Sequence, residues 1–359
     1  PALDAPIDWL LTDSRSLAFP ETSLFFALRT ATGDGHRYIP ALLQRGVHNF
    51  VVNDDYNLET LTADGAQPLE DEVHFLRVKS PLHALQQLAA AHRAQFSLLV
   101  VGITGSNGKT IVKEWLYQLL CPSEQVTRSP RSFNSQIGVP LSVWLLNAQS
   151  RIGIFEAGIS RTGEMARLRD IIQPTLGLIT NIGAAHEANF SSMEEKCAEK
   201  LQLFTHCEAL VYCADDALIG ATLDKMRFSG KRITWSKQGK AAQYRFSTHI
   251  LSDCTEISFQ IAEVASDGSY VFSQNQEKHQ FFIPFTDEAS IENAIHTAVV
   301  GLQLGVTPSQ LALRMPNLQS VAMRLEVKPG VRGLTLIDDA YNADLTSLDI
   351  ALDFLHPVS

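Results

Sequence analysis

The chain has 359 residues, 45% of them hydrophobic and 19% charged, a balance that suits a globular protein with two or three domains and a large core. A formal net charge of −10 argues against general nucleic-acid binding, which needs clustered lysine and arginine, but leaves room for anions held by local loops. No apolar run is long enough to span a bilayer and no signal peptide is read, so membrane insertion is not expected. Cys121, Cys197, Cys207, Cys213 and Cys254 show no Cys-x-x-Cys spacing, which points to reduced thiols in a cytoplasmic protein, with Cys197 a bystander rather than a nucleophile.

In chain order, residues up to about 96 read as a small α/β domain. Ser23–Leu28 and Asn49–Val52 are strand-like, His36–Arg45 is a helix stopped by Gly46, and Ser80-Pro81 opens another helix with Ser as its cap. From Leu98 strands alternate with helices, as in a parallel sheet covered on both faces. The strands are Leu98–Ile103, Ile152–Glu156, Leu176–Asn181, Ala209–Cys213 and Arg232–Trp235, with helices such as Glu164–Ile172 and Met193–Phe204 between them. Tyr244–Phe285 alternates apolar and polar residues around Asp267-Gly268, which predicts an antiparallel ribbon added to the sheet. A helix over Ser290–Leu304 stops at Gly305. Beyond Pro316 a third unit begins: strand Arg324–Val327, turn Pro329-Gly330, strand Leu334–Ile337 and a helix from about Thr346. Too few residues follow to close such a domain, so the sequence reads as a piece of a longer protein. The expected division is 1–97, 98–316 and 317–359, with a hinge near Pro316–Ser320.

The chemistry centres on Gly102-Ile103-Thr104-Gly105-Ser106-Asn107-Gly108-Lys109-Thr110. An apolar strand precedes it, and a helix with Val112, Trp115, Leu116 and Leu119 on one face follows. Glycines let a backbone wrap phosphate oxygens, and the N–H groups at a helix start face the anion. In such a loop Gly105, Ser106, Asn107 and Gly108 cradle phosphate, Lys109 reaches the β/γ-phosphates and Thr110 places its hydroxyl on Mg²⁺. The generic nucleotide-loop pattern wants glycine where this chain has Ile103. A glycine-rich turn with no ligand is the competing reading. Lys-Thr, strand and helix together argue against it.

Further motifs fall where the strand ends of an open α/β sheet gather. Glu156 ends a strand, and His186 closes Asn181-Ile182-Gly183-Ala184-Ala185-His186. Lys200 lies on the next helix, and Asn134 opens Asn134-Ser135-Gln136-Ile137-Gly138-Val139-Pro140 in the loop after the phosphate-loop helix. Taken singly each is weak: a strand-end Glu is often solvated, a lone His structural and a helix Lys a surface charge. Their order after the phosphate loop gives them meaning.

With these motifs the chain resembles the Mur ligases, ATP-dependent amide synthetases of peptidoglycan precursor assembly, over nearly its whole length. Asp13-Ser14-Arg15-Ser16-Leu17, Leu24–Leu28 and Asp34-Gly35-His36 resemble a UDP-sugar-binding first domain. Asn134–Pro140 is similar to the family's Asn-x-x-x-Gly-x-Pro loop. Asp338-Asp339-Ala340-Tyr341-Asn342-Ala343-Asp344 resembles the branch that adds D-alanyl-D-alanine to UDP-N-acetylmuramoyl-tripeptide. The resemblance implies an α/β fold: a small UDP-binding domain, a central phosphate-loop ATPase domain and the start of a Rossmann-like third domain. It implies ATP and two Mg²⁺ ions. Thr110, Glu156 and His186 would hold metal, with Lys200 carbamylated to hold the second ion. Asn293 would contact adenine, Arg324 and Asp339 the nucleotide from the third domain, and Ser14, Arg15 and Asn134 the substrate. Lys109, Lys200 and His186 would carry the catalytic work.

Two departures stand out. Gln136 takes the place of a frequent Glu, and Gly158-Ile159-Ser160-Arg161 that of Gly-Ala-Asn-His. The partners implied are UDP-N-acetylmuramoyl-tripeptide and D-Ala-D-Ala, met by a monomer. Some bacteria fuse this ligase to an alanine racemase, and whether one follows here stays open. The alternatives are the third-residue-adding Mur ligase, a folylpolyglutamate synthetase-like ligase, and a nucleotide-binding module that has lost catalysis.

Overall fold

The computed structural model describes residues 6–31, 33–58, 73–121, 123–183, 189–273, 276–322, 326–329 and 334–338. His186, Arg324, Asp339 and the helix expected from Thr346 lie outside them. The chain divides into two compact units, Pro1–Gln95 and Phe96–Ser359.

The first unit is a four-stranded parallel sheet, β1 (Trp9–Leu11), β2 (Ser23–Phe26), β3 (Asn49–Asn53) and β4 (His74–Val78), in that spatial order. Helix α1 (Ile39–Gln44) follows a 3₁₀ turn over Gly35–Tyr38, and α2 (Pro81–Arg93) is capped by Ser80, whose hydroxyl accepts from the His83 N–H. Phe25, Phe50, Val52, Ile39 and Leu42 form the core, with Phe50 stacked on Phe75 at 5.2 Å between centroids. The sequence-expected helix His36–Arg45 thus divides into a 3₁₀ turn and a shorter α-helix. Asp34 caps the turn, and a Cβ at Gly35 would lie 2.7 Å from the Leu28 backbone nitrogen.

The second unit carries a nine-stranded sheet. Its strands are β5 (Leu99–Thr104), β6 (Val126–Arg128), β7 (Ile152–Glu156), β8 (Leu176–Ile179), β9 (Ala209–Cys213), β10 (Lys231–Ser236), β11 (Tyr244–Ile250), β12 (Thr255–Ile261) and β13 (His279–Ile283). Their spatial order is β13-β12-β11-β10-β9-β8-β5-β7-β6. All neighbours pair parallel except β11 with β12 and β12 with β13. The chain leaves β5 toward β7 on one side and returns to β8 on the other. This reversal opens the crevice in which such sheets bind ligands.

Helices α3 (Lys109–Leu120), α4 (Gly138–Val143), α5 (Glu164–Ile172), α6 (Met193–Leu201), α7 (Ala217–Lys225), α8 (Glu288–Gln303) and α9 (Pro308–Arg314) accompany the sheet. Helix α3 buries Val112, Trp115, Leu116 and Leu119, the face read from the sequence. Trp115 stacks on Phe285 at 4.9 Å. Helix α8 buries nearly every side chain from Ser290 to Gly301, as a helix does when neighbours cover it on several sides.

The ribbon over Tyr244–Phe285 extends the main sheet, but its first hairpin turns at residues 251–254. Asp267-Gly268 closes only the two-residue strands Glu263–Val264 and Tyr270–Val271. Strands β14 (Glu326–Pro329) and β15 (Thr335–Asp338) pair antiparallel. The expected hinge segment is docked onto α3: the Trp115 indole N–H donates to the Gln319 carbonyl at 2.9 Å, and the Gln319 N–H to Gln118 Oε1 at 2.8 Å. The segment expected to hinge is thus held, as far as Gln319, against α3. Among the described residues no helix is long and apolar enough to cross a membrane.

Candidate active site

The loop Gly105–Gly108 joins β5 to α3 at the point where the strand order reverses. Gly105 has φ +144° and Gly108 φ +81°, backbone shapes that side-chain-bearing residues rarely adopt. There is no room for a side chain either. A Cβ at Gly105 would fall 1.9 Å from Thr180 Oγ1, and one at Gly108 2.2 Å from Asn293 Oδ1.

A second layer holds the loop. The Ser106 and Asn107 N–H groups donate to the carbonyl and side-chain oxygen of Asn181 at 2.9 and 3.1 Å. The Gly183 N–H donates to Ser106 Oγ at 2.8 Å, and the Thr180 hydroxyl to the Asn107 carbonyl at 2.6 Å. The first N–H groups of a helix have no partner within it. At the start of α3 these groups adjoin a preformed concave loop, a ready anion site.

Ammonium groups crowd this loop. Lys109 Nζ donates to the Gly105 and Ser106 carbonyls at 2.8 and 2.9 Å, and Lys200 Nζ to the Gly105 carbonyl at 3.0 Å. Lys196, one turn before Lys200, donates to the Gly183 carbonyl. Lys200 is 3% exposed. Burial holds its ammonium well below the usual lysine range, and the charges of Lys109 and Lys196 push the same way. Among the described residues no carboxylate pairs with Lys200.

Beside the loop, the Thr110 hydroxyl donates to Glu156 Oε2 at 2.9 Å and lies 3.2 Å from Ser132 Oγ. Glu156, the last residue of β7, is fully buried. Lys113 Nζ stands 3.4 Å from its other oxygen. A threonine hydroxyl and one carboxylate, both hard oxygens next to a phosphate cradle, fit Mg²⁺, which takes one or two carboxylates and completes its shell with phosphate and water. Among the described residues no cluster of three His, Cys, Asp or Glu forms a self-sufficient metal site.

The remaining sequence-derived residues fall as follows. Asn134 lies next to the β7 strand end, its carbonyl accepting from the Gly158 N–H at 2.8 Å. Asn293 lies on α8 with its side chain against Gly108. Ser14 and Arg15 belong to the first unit. There the Ser14 carbonyl accepts from Arg45 at 2.8 Å, and the exposed Arg15 guanidinium is held by Asp13 at 2.6 Å.

Burial pushes the thiols of Cys197 to about 11 and of Cys207 and Cys213 to about 12, so none is a nucleophile at neutral pH. Sequence reasoning missed Lys113, Lys196, Glu199 and His296. Glu199 Oε1 accepts from the Gly163 and Met165 N–H groups at 2.8 and 3.1 Å, which fixes the start of α5. His296 accepts from the Trp235 indole N–H at Nδ1 and faces the Thr180 carbonyl with Nε2, 3.1 Å away. That pairing leaves Nε2 as the donor. Full burial lowers its pKa to about 3, so it stays neutral and supports the residue that backs Gly105.

The comparisons agree with this geometry. Residues 103–301 match the Mur ligase middle domain, and residues 7–93 match the Mur ligase family catalytic domain. A Bacillus subtilis protein named UDP-N-acetylmuramoyl-tripeptide–D-alanyl-D-alanine ligase is 29% identical over 96% of this chain and 69% of its own length. A Synechocystis protein of the same name is 30% identical over 98% of this chain and 70% of its own. The crystal structure of MurF ligase from Thermotoga maritima in complex with ADP superposes with a TM-score of 0.75 at 24% identity, covering 98% of this chain and 75% of that one. Two family models lie side by side along the sequence, and the middle-domain model begins inside the phosphate loop and spans every described residue of the site: the chain belongs to the Mur ligase family.

Proposed function

We propose that this chain is the ATP-dependent ligase that joins D-alanyl-D-alanine to UDP-N-acetylmuramoyl-tripeptide, forming ADP and phosphate, and that it works in the cytoplasm as a monomer. The observation that carries the reading is the phosphate loop with Thr110 bonded to a fully buried Glu156. The name shared by the Bacillus and Synechocystis relatives supplies the substrates. Residues 1–97 would bind the UDP-sugar, 98–316 the ATP, and 317 onward would begin the domain that closes over it.

A carboxylate is too poor an electrophile to meet an amine directly. Its oxygen first attacks the γ-phosphorus of ATP, ADP leaves, and an acyl phosphate remains. The free amine of D-Ala-D-Ala then attacks the acyl carbon, and phosphate departs with the original carboxylate oxygen. Both steps gather negative charge on phosphoryl or carbonyl oxygens, so the protein's task is positioning and electrostatics. Lys109 would swing from the Gly105 and Ser106 carbonyls onto the β/γ-phosphates. Thr110 and Glu156, joined by His186, would hold Mg²⁺, which neutralises phosphate charge when bound. Asn134 would hold the incoming substrate, Asn293 would reach the nucleotide from α8, and Arg324 and Asp339 would contact it from the closing domain.

Lys200 would be carbamylated and would hold a second Mg²⁺. Its support is chemical: a buried amine crowded by two other lysines is readily neutral, and a neutral amine is the form that adds CO₂. The carbamate would place an anion beside the ammonium groups of Lys109 and Lys196. The deciding assay compares ADP release with UDP-N-acetylmuramoyl-tripeptide plus D-Ala-D-Ala against UDP-N-acetylmuramoyl-dipeptide plus a diamino acid. Turnover with only the second pair would transfer the chain to the third-residue branch, and turnover with neither would sink the reading.

A further inference from the structure

Lys113 is fully buried, yet no part of the reaction just described uses it. It sits on α3 one turn beyond Lys109 and next to Thr110 on the helix face. Its ammonium has three N–H donors and three acceptors: Glu156 Oε1 at 3.4 Å, Glu114 Oε1 at 3.1 Å and the Arg131 carbonyl. Glu156 is thereby divided. One oxygen faces Lys113, and the other faces the Thr110 hydroxyl.

The Arg131 contact matters for a second reason. Arg131 has φ +48°, a left-handed shape seldom taken by a residue other than glycine. Such a backbone persists when its surroundings over-determine it, and such residues gather at functional sites. The segment it belongs to borders the site at three points. Ser129 Oγ accepts from the Glu156 N–H at 3.3 Å, Ser132 Oγ lies 3.2 Å from Thr110 Oγ1, and the Asn134 carbonyl accepts from the Gly158 N–H at 2.8 Å.

We propose that Lys113 is a positioning residue that sets the metal geometry: it occupies Oε1 of Glu156 so that only Oε2 faces the ion beside Thr110, and it holds the Arg131 carbonyl so that Ser132 and Asn134 stay at the site. The inference rests on the metal-nucleotide reading above and adds to it a residue that touches neither nucleotide nor metal. A carboxylate with Oε1 left unheld would be free to turn or to bind through both oxygens. Lys113 prevents this.

The test measures ADP affinity by calorimetry twice, in saturating Mg²⁺ and in EDTA. The ratio of the two isolates the metal's contribution from that of the loop. For Lys113→Met the ratio is expected to fall by roughly 10–100-fold, the usual cost of removing a group that orients a metal ligand, while the EDTA affinity stays near wild type. Lys113→Arg, which keeps charge and donors, should retain most of the ratio. If Lys113→Met does not fold, Lys113→Gln, which keeps amide N–H donors but not the charge, carries the same expectation. An unchanged ratio in a folded neutral variant, or an equal fall with and without Mg²⁺, overturns the proposal and leaves Lys113 a packing residue. A wild-type protein whose ADP affinity ignores Mg²⁺ overturns the metal-nucleotide reading as well.

Discussion

Gly108→Ala is the sharpest perturbation of the phosphate loop, and its cost has two separable parts. At φ +81° the new side chain sits in the left-handed region, which costs an L-residue roughly 1–2 kcal/mol. The new Cβ would also lie 2.2 Å from Asn293 Oδ1. Asn293 must then turn off its rotamer, at about 0.5–1.5 kcal/mol. The expected total is about 1.5–3.5 kcal/mol. It appears either as lost folding stability, if the loop keeps its shape, or as lost nucleotide affinity, if the loop opens.

Urea unfolding and ADP calorimetry on the same samples account for both. The double variant Gly108→Ala/Asn293→Ala should recover the steric part and keep the backbone part. Gly183→Ala is the control, because a Cβ there meets Ser106 Cβ at an ordinary 3.6 Å. It should stay within about 0.5 kcal/mol of wild type. A Gly108→Ala protein that unfolds at the wild-type urea concentration and binds ADP with wild-type affinity would refute the reasoning.

Other outcomes follow from the same site. Lys109→Ala should abolish ligation but leave calorimetric binding of the UDP-peptide intact; loss of that binding in a folded protein would contradict the assignment of UDP recognition to residues 1–97. Lys200→Ala should lose activity and regain part of it with added short carboxylates, whereas full activity without them would remove the carbamate from the account. His296 has a folded pKa of about 3 against 6.5 when unfolded. Between those values the unfolded chain binds more protons, so stability is complete above pH 6.5 and falls by about 1.4 kcal/mol per pH unit below it. In His296→Gln the loss between pH 6.5 and 5 should be smaller by about 2 kcal/mol, measured by urea unfolding at the two pH values. An identical pH dependence would mean that the imidazole finds a way to charge in place.

The phosphate loop was legible because its demands are local: two glycines in backbone shapes other residues avoid, an apolar strand before them and an amphipathic helix after. Helix Glu164–Ile172 had the bounds expected of it for similar reasons. The ribbon was harder. Asp267-Gly268 is a sound turn signal, and Asp267 does accept from the Ser269 N–H at 2.9 Å. The long hairpin nevertheless turns earlier, because β11 is set by parallel pairing with β10, a contact between distant segments that turn chemistry cannot reveal.

Lys113 and Lys196 were missed for a related reason. A helix lysine reads as solvated until something is seen to cover it. Lys109 with Lys113, and Lys196 with Lys200, each recur one turn apart on a single face, and that spacing was the available signal. His296 carried no signal at all, since one histidine in an apolar helix reads as core. Its value lies in Trp235 and Thr180, which arrive from two separate strand ends.

The central claim is that this site activates a carboxylate by transferring phosphate to it. Positional oxygen labelling tests that directly. UDP-N-acetylmuramoyl-tripeptide carrying ¹⁸O in its reacting carboxylate is incubated with ATP, Mg²⁺ and D-Ala-D-Ala, and the released phosphate is analysed by mass spectrometry or ³¹P NMR. The account predicts one ¹⁸O per phosphate, released only when all substrates are present. Phosphate free of ¹⁸O, with ATP consumed by water instead, would contradict it.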